Sequence, residues 1–243
     1  MSRSARSGAR ALVALLALTA APALASPTLG AASAGGTSEA VRIAVILAIM
    51  AIIPAILIST TSFIRIVVVL AMVRHAFGMP QTPPNAVLTS LALFMTAFVM
   101  SPTLGELNDK ALQPMLNGTQ AVSTVIETGS APLRDFMLSQ TRESDLEMIY
   151  RMSGTPLPAT PQDVELLKLT PAFMLNELRV AFTIGFVILL PFLLIDLVVS
   201  SILLSLGMMM VPPTTISLPI KVLMFVLIDG WSLILKGVLG SFR

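Results

Sequence analysis

The stretch that decides the fold runs from Asp196 to Lys221 and reads DLVVSSILLSLGMMMVPPTTISLPIK. A long apolar run ends in a glycine, three consecutive methionines follow, and paired prolines precede the next apolar run. Because glycine and paired prolines do not continue a helix, the pattern predicts a loop between two apolar helices. Thioether side chains are flexible and polarizable, so the loop would present a soft apolar surface made of Met208, Met209 and Met210.

Two charges bracket this methionine loop. A carboxylate or an ammonium group in an apolar setting is costly unless it has a partner. One interpretation of Asp196 and Lys221 is a pair within one chain, or two side chains that reach the membrane interface. The functional interpretation is a bridge between neighbouring copies. A deformable plug beside paired charges favours a gate over a catalytic centre.

Composition places the whole chain among polytopic, all-α membrane proteins. Of its 243 residues, 55% are hydrophobic and 12% are charged, against about 25% charged in a typical soluble domain. Mean hydropathy is +0.89. Without cysteine and with a single histidine, the chain offers no disulfide framework, thiolate metal site or histidine-rich metal centre. No hydrolase, zinc-protease or nucleotide-binding motif occurs, so we expect neither an enzyme nor a bound cofactor.

Residues 1–25 have the pattern of a secretory signal peptide. Three arginines lead into an apolar run too short to span a bilayer, and an A-x-A motif places cleavage between Ala25 and Ser26. An uncleaved first anchor is the alternative. Without those three arginines the 15 basic residues fall to 12 against 13 acidic ones, which is too little positive charge for nucleic-acid binding. Residues 26–42 form a linker rich in small residues.

Residues 43–101 contain the N-terminal apolar helices. The first apolar run, 43–73, would reach about 46 Å as one helix, against a bilayer core of about 30 Å. Pro54 and the hydroxyl cluster at 59–62 therefore favour a kink or break. Arg65 lies inside the apolar part, where it either reaches the interface or is neutralised by a partner subunit or a neighbouring helix.

Residues 102–170 are richer in polar side chains and in proline, and short amphipathic pieces recur at helical spacing. They predict a small helical insertion outside the membrane, on the periplasmic side. A threonine, a proline and an acid at 160–163 predict a helix start. We expect the insertion's aromatic side chains, Phe136 and Tyr150, to lie in its core.

Residues 171–243 contain the C-terminal apolar helices and the methionine loop. We expect a third apolar element at 171–206, interrupted at Pro191, and a fourth at 220–239. On one continuous helix, a polar stripe within an arc of about 80° would face something other than lipid. That stripe consists of Lys221, Asp229, Ser232 and Lys236.

The run PAFMLNELRVAFTIGF at 171–186 resembles the signature of the FliP family. Further resemblance is spread over 61–85, 91–102 and 208–231. Members of this family are membrane proteins of the bacterial flagellar export gate, with relatives in virulence type III secretion. The predicted signal peptide favours the flagellar branch.

The resemblance implies several copies of the chain, joined with FliQ-like and FliR-like subunits in a closed helical cone near FlhB-like and FlhA-like export proteins. Unfolded flagellar proteins would pass through its centre, at the basal body in the bacterial inner membrane. The methionine loop would seal that channel. The expected subunit-assembly positions are Glu177, Asp196 and Lys221, with the buried charge of Arg65 as a fourth.

Three other functions compete with this interpretation. A small-ion channel or secondary transporter subunit would use Arg65, Asp196 and Lys221 as a relay, although transporters usually contain internal repeats and none is evident. An intramembrane enzyme is disfavoured by the missing motifs. A purely structural membrane scaffold is the last alternative.

Overall fold

The computed structural model describes residues 36–79, 81–117, 122–208 and 210–242. The predicted signal peptide, its cleavage site at Ala25 and Ser26 and part of the predicted linker lie outside the described residues. The chain divides into residues 1–48 and residues 49–243. The packing given below is internal to the larger unit.

The described residues form helices and no β-strand, which confirms the predicted all-α class. In chain order the α-helices are α1 (Gly36–Thr60), α2 (Phe63–Ala76), α3 (Asn85–Val99), α4 (Ser101–Leu107), α5 (Gln113–Leu116), α6 (Val122–Gln140), α7 (Glu143–Met152), α8 (Leu166–Ser205), α9 (Pro213–Leu227) and α10 (Gly230–Gly240). A π-helical stretch, Asn108–Leu112, joins α4 to α5, and a 3-10 turn, Pro161–Asp163, precedes α8.

The predicted break in the first apolar run is confirmed at residues 61 and 62. Helix α1 continues through Pro54 and ends at the hydroxyl cluster. Thr60 Oγ1 donates to the carbonyl of Ile56 at 2.9 Å, and Thr61 Oγ1 donates to that of Leu57 at 2.7 Å. A single hydroxyl bonded in this way is tolerated inside a helix, as at Thr183 in α8, but four hydroxyl residues in a row at 59–62 weaken the regular ladder. The helix stops here and not at the proline.

Helix α8 is the longest element, with 40 residues and a length of about 60 Å. The predicted interruption at Pro191 is wrong, because the helix continues through it. A proline removes one hydrogen bond and bends a helix without having to end it, and α1 likewise continues through Pro54. Among the described residues α1 and α8 are long and apolar enough to cross a membrane, and the count reaches four if each of two bent helix pairs forms one span.

The first half of α8 packs against α6 and α7. Met137, Tyr150 and Phe173 are buried together, and Phe136 packs edge-on against Phe173 at 5.9 Å between ring centroids. Tyr150 also uses its hydroxyl, which accepts a hydrogen bond from the backbone of Glu165 at 3.1 Å. The expectation that these aromatics belong to a core is confirmed.

The predicted helix start at 160–163 is wrong, since only a single 3-10 turn forms there. Thr160 Oγ1 donates to Asp163 Oδ2 at 2.5 Å, but its side chain makes no capping bond to the backbone. The backbone is extended at Val164, and α8 begins only at Leu166. The turn therefore does not continue into the helix.

The second half of α8 packs against α2, α9 and α10 around a core that includes Val69, Leu70, Phe192, Phe225 and Val238. The predicted polar stripe on one last helix is wrong, because α9 and α10 bend by 67° at residues 228 and 229. Asp229 adopts a left-handed backbone with φ 51°. Lys221 is consequently buried while Asp229 and Lys236 are exposed.

Glycine is required at the start of α10. A Cβ atom added to Gly230 would lie 2.2 Å from the ring of Phe225, so the helix approaches that ring more closely than any other residue allows. At Gly237, on the same helix, an added Cβ would meet nothing within 4 Å. The bend between α9 and α10 thus depends on residue 230 having no side chain.

We predict that Gly230→Ala lowers the stability of the detergent-solubilised protein by about 1–3 kcal/mol, the usual cost of overpacking. The matched change Gly237→Ala should leave stability unchanged or raise it, because alanine is the better helix former. Trp231 contacts Phe225 at 5.4 Å between ring centroids, so its fluorescence during thermal unfolding gives the readout. Equal midpoints for the two variants would contradict the close packing.

Candidate functional site: two buried ion pairs and a methionine loop

The first ion pair joins α2 to α8. Arg65 and Glu177 are both fully buried. Arg65 Nε donates to Glu177 Oε2 at 2.8 Å, and its NH2 group donates to the other carboxylate oxygen. This two-pronged geometry is the strong form of an arginine–carboxylate contact.

The remaining donors of Arg65 reach two further elements. The NH2 group also donates to Gln140 Oε1 at 3.2 Å, at the end of α6. The NH1 group donates to the carbonyl of Ser241 at 2.8 Å and to its hydroxyl at 3.0 Å, in the turn after α10. The ring of Phe242 lies over the guanidinium at 3.8 Å. Four separate parts of the chain therefore meet at this charge.

A neighbouring helix of the same chain neutralises Arg65, which is one of the arrangements expected from the sequence. The side chain does not reach toward an interface. Because Arg65 and Glu177 satisfy each other within one chain, they need no second copy to compensate their charge. Their role in subunit assembly stays a prediction.

The second ion pair joins α8 to α9. Lys221 Nζ lies 2.6 Å from Asp196 Oδ2. The lysine side chain is 3% exposed and the aspartate side chain is 34% exposed. Lys221 Nζ also donates to the carbonyl of Ala76 at 3.2 Å, the last residue of α2, where a cation complements the negative end of the helix.

Asp196 and Lys221 therefore pair within one chain, which is one of the arrangements expected from the sequence. A bridge between copies stays a prediction. The structure also separates the charges that a relay would need. Arg65 is bound to Glu177, and Glu177 and Asp196 lie 19 positions apart on α8, a distance of about 28 Å along the helix. No single hydrogen-bonded relay can connect sites at that distance without further polar groups.

An aromatic cluster lies beside the second pair, and the sequence reasoning missed it. Phe77 follows Ala76 directly and contacts Phe192 at 5.3 Å and Phe225 at 4.8 Å, both edge-on. Trp231 extends the cluster from the start of α10. Edge-to-face rings add stabilisation beyond burial, so the cluster fixes the base of the α8–α9 hairpin.

The predicted loop between two apolar helices is present at residues 206–212. Gly207 has φ 73°, and the Met208 backbone donates to the carbonyl of Leu203 at 2.9 Å, which ends α8 with a left-handed glycine. Met208 is 44% exposed and Met210 is 97% exposed. Met209 lies outside the described residues. The two described methionines thus present much of their apolar surface outward from their own chain.

A third ion pair also escaped the sequence reasoning. Both guanidinium NH groups of Arg179 contact the buried carboxylate of Asp145 at 2.8 Å, joining α8 to the start of α7. Asn176, one turn earlier on α8, donates to the backbone carbonyl of Gln140. The insertion is therefore attached to α8 by polar contacts as well as by its core. Across the described ranges, no group of three or more acidic or histidine side chains is arranged to hold a metal ion.

The geometry just described falls within a region that matches a known family. The model of the FliP family matches residues 46–238, which include both ion pairs and the loop. The chain belongs to the FliP family. The resemblance of the run at 171–186 is thereby confirmed.

Three relatives illustrate the similarity to the FliP family across bacteria, and each is named Flagellar biosynthetic protein FliP. The chain is 48% identical over 202 residues to that of Pectobacterium carotovorum subsp. carotovorum, covering 83% of this chain and 78% of the relative. The chain is 47% identical over 210 residues to the protein of Caulobacter vibrioides, covering 86% of this chain and 79% of the relative. It is 44% identical over 205 residues to the protein of Bacillus subtilis, covering 84% of this chain and 93% of the relative. FliP-family membership and the apolar helices identify a membrane component of flagellar biosynthesis.

We predict an asymmetry within the second pair. Asp196→Asn leaves the ammonium group of Lys221, whose side chain is 3% exposed, without a counter-charge. Lys221→Met leaves the carboxylate of a side chain that is 34% exposed, although its Oδ1 is buried. Asp196→Asn should therefore lower the thermal midpoint of the purified protein more than Lys221→Met. The exposed Lys236→Met serves as the control and should change little. The reverse order of the two variants would contradict the observed burial.

Proposed function

We propose that this chain is a subunit of the flagellar protein export gate at the basal body in the bacterial inner membrane, with a periplasmic portion. It would assemble with copies of itself and with FliQ-like and FliR-like subunits, near FlhA-like and FlhB-like export proteins. Its cargo would be unfolded flagellar proteins. In this proposal the chain conducts protein and is not an enzyme. Membership of the FliP family supports the assignment.

The surface of α8 supports assembly in a membrane complex. A series of large apolar side chains between residues 182 and 197 is exposed in the single chain. These are Phe182, Phe186, Val187, Leu190, Leu193, Leu194 and Leu197. A row of this size is unfavourable in water, so lipid or neighbouring helices must cover it.

The exposure of Met210 carries the proposal that the loop is a seal. A seal for unfolded chains of varied sequence must yield without making specific contacts, and flexible thioether groups provide such a surface. The Asp196–Lys221 pair clamps the two flanking helices, roughly 14 Å along α8 from the loop. The loop would thus be soft while its base is fixed.

We predict that replacing Met208, Met209 and Met210 with alanine lets small ions leak through assembled gates. Alanine removes the thioether volume that would close the channel, while the packed base of the hairpin is left intact. Replacing two exposed methionines of α7, Met148 and Met152, is the matched control and should cause no leak. The measurement is ion conductance of membranes expressing the complete gate.

Unchanged conductance in gates that contain the triple variant at normal levels would contradict the seal. A leak in the α7 control as well would show that loss of any exposed methionine permeabilises the complex. In either case the proposed role of the loop would fail.

We also predict that Asp196→Ala or Lys221→Ala lowers the ratio of oligomer to folded monomer on native gels. Loss of one partner leaves an uncompensated charge at the base of the hairpin, where neighbouring copies would pack. Normalising to folded monomer separates assembly from the stability of the single chain. A normal ratio for both variants would limit the pair to its intrachain role.

A further inference from the structure

Every donor of the buried Arg65 guanidinium has an acceptor, and the C-terminal turn supplies two of them. A guanidinium carries five N–H groups. Glu177 accepts from two of them and Gln140 from one. The carbonyl and the hydroxyl of Ser241 account for the other two.

The next residue of the turn closes the face of the same group. The ring of Phe242 lies 3.8 Å from the guanidinium carbon, which is a cation–π stacking distance. A guanidinium is weakly hydrated and stacks well on aromatic rings, so the ring can replace water on that face. Ser241 and Phe242 together therefore complete the enclosure of the charge.

A polar pocket of about 260 Å³ lies beside this enclosure. Arg65, Gln140, Asn176 and Ser241 are among the residues that line it. Because Ser241 is both a wall of the pocket and an acceptor for Arg65, displacement of the turn would expose more of the guanidinium to the pocket. Water could then compete for the ion pair.

The turn is attached to α10 and would move with it. The Ser241 backbone and hydroxyl both donate to the carbonyl of Val238, at 3.2 and 2.7 Å, and the Phe242 backbone donates to that of Leu239. Of the eleven residues of α10, three are buried, namely Gly230, Ile234 and Val238. A helix with so narrow a buried face has the low packing density expected of a segment that opens locally.

We propose that Ser241 and Phe242 form a strap that closes the Arg65–Glu177 site and opens when α10 tilts. Both are positioning residues for the ion pair. In the closed state Arg65 ties α2, α6 and α8 to the end of α10. In the open state the guanidinium loses two acceptors and its stacked ring, and the end of α10 is no longer bound to the other three segments. This opening and closing would not require the proposed export function.

The test measures the reactivity of Arg65 toward phenylglyoxal, an arginine-selective reagent, in the full chain within membranes. Mass spectrometry of the peptides gives the modification rate, with the exposed Arg151 as the internal reference. In the natural chain Arg65 should be protected relative to Arg151. Phe242→Ala should raise the modification rate of Arg65 about fivefold or more, because the ring stacked on the guanidinium is lost. Phe242→Tyr, which keeps the ring, should restore protection.

Two controls separate strap opening from general unfolding. Leu233→Ala removes an exposed apolar side chain from the same helix and should leave Arg65 protected. Acylation of the buried Lys221 should stay constant in every variant, since that site lies far along α8. If Phe242→Ala does not accumulate, Phe242→Leu keeps a large apolar side chain but loses the flat ring, and should still raise the Arg65 rate. Unchanged reactivity of Arg65, or an equal rise in the acylation of Lys221, would contradict the proposed strap.

Discussion

A guanidinium buried among apolar helices is tolerated only if every donor is satisfied, and that constraint organises this chain. Arg65 lies near the start of α2, while its partners come from the end of α6, the first half of α8 and the turn after α10. The hydrophobic effect has no direction, whereas five directed hydrogen bonds to one planar group accept a single register. The ion pair thus determines where four distant segments meet, whatever its net contribution to stability.

The second ion pair acts at the opposite end of α2. Lys221 bonds to the last carbonyl of that helix and to Asp196, so α2 is tied to α8 near both of its ends. Between the two ties, the apolar core and the aromatic cluster fill the interior. The methionine loop lies beyond the second ion pair, and its exposed side chains take no part in this packing. Softness at the loop and rigidity at its base are therefore compatible in one hairpin.

Local chemistry made several features of the fold predictable from sequence. The hydroxyl cluster ends α1, and the glycine after Leu206 ends α8, because each acts on the backbone within one turn. Features that depend on distant contacts were not predictable in this way. The bend at Asp229 brings the ring of Phe225 against Gly230, a contact that no local pattern indicates. Asp145 and Arg179 look like ordinary solvated helix residues until the fold brings them together.

Helix α8 carries one partner of each buried pair, Glu177 and Asp196, about 28 Å apart along a single rod. A small rotation of a long rod becomes a large displacement at its far end. Pivoting about Glu177 by about 5° would displace Asp196 sideways by about 2.4 Å, nearly the full length of a hydrogen bond. The two pairs on α8 are therefore geometrically coupled, and a change of angle where α6 and α7 pack on this helix would strain the Asp196–Lys221 pair below the methionine loop.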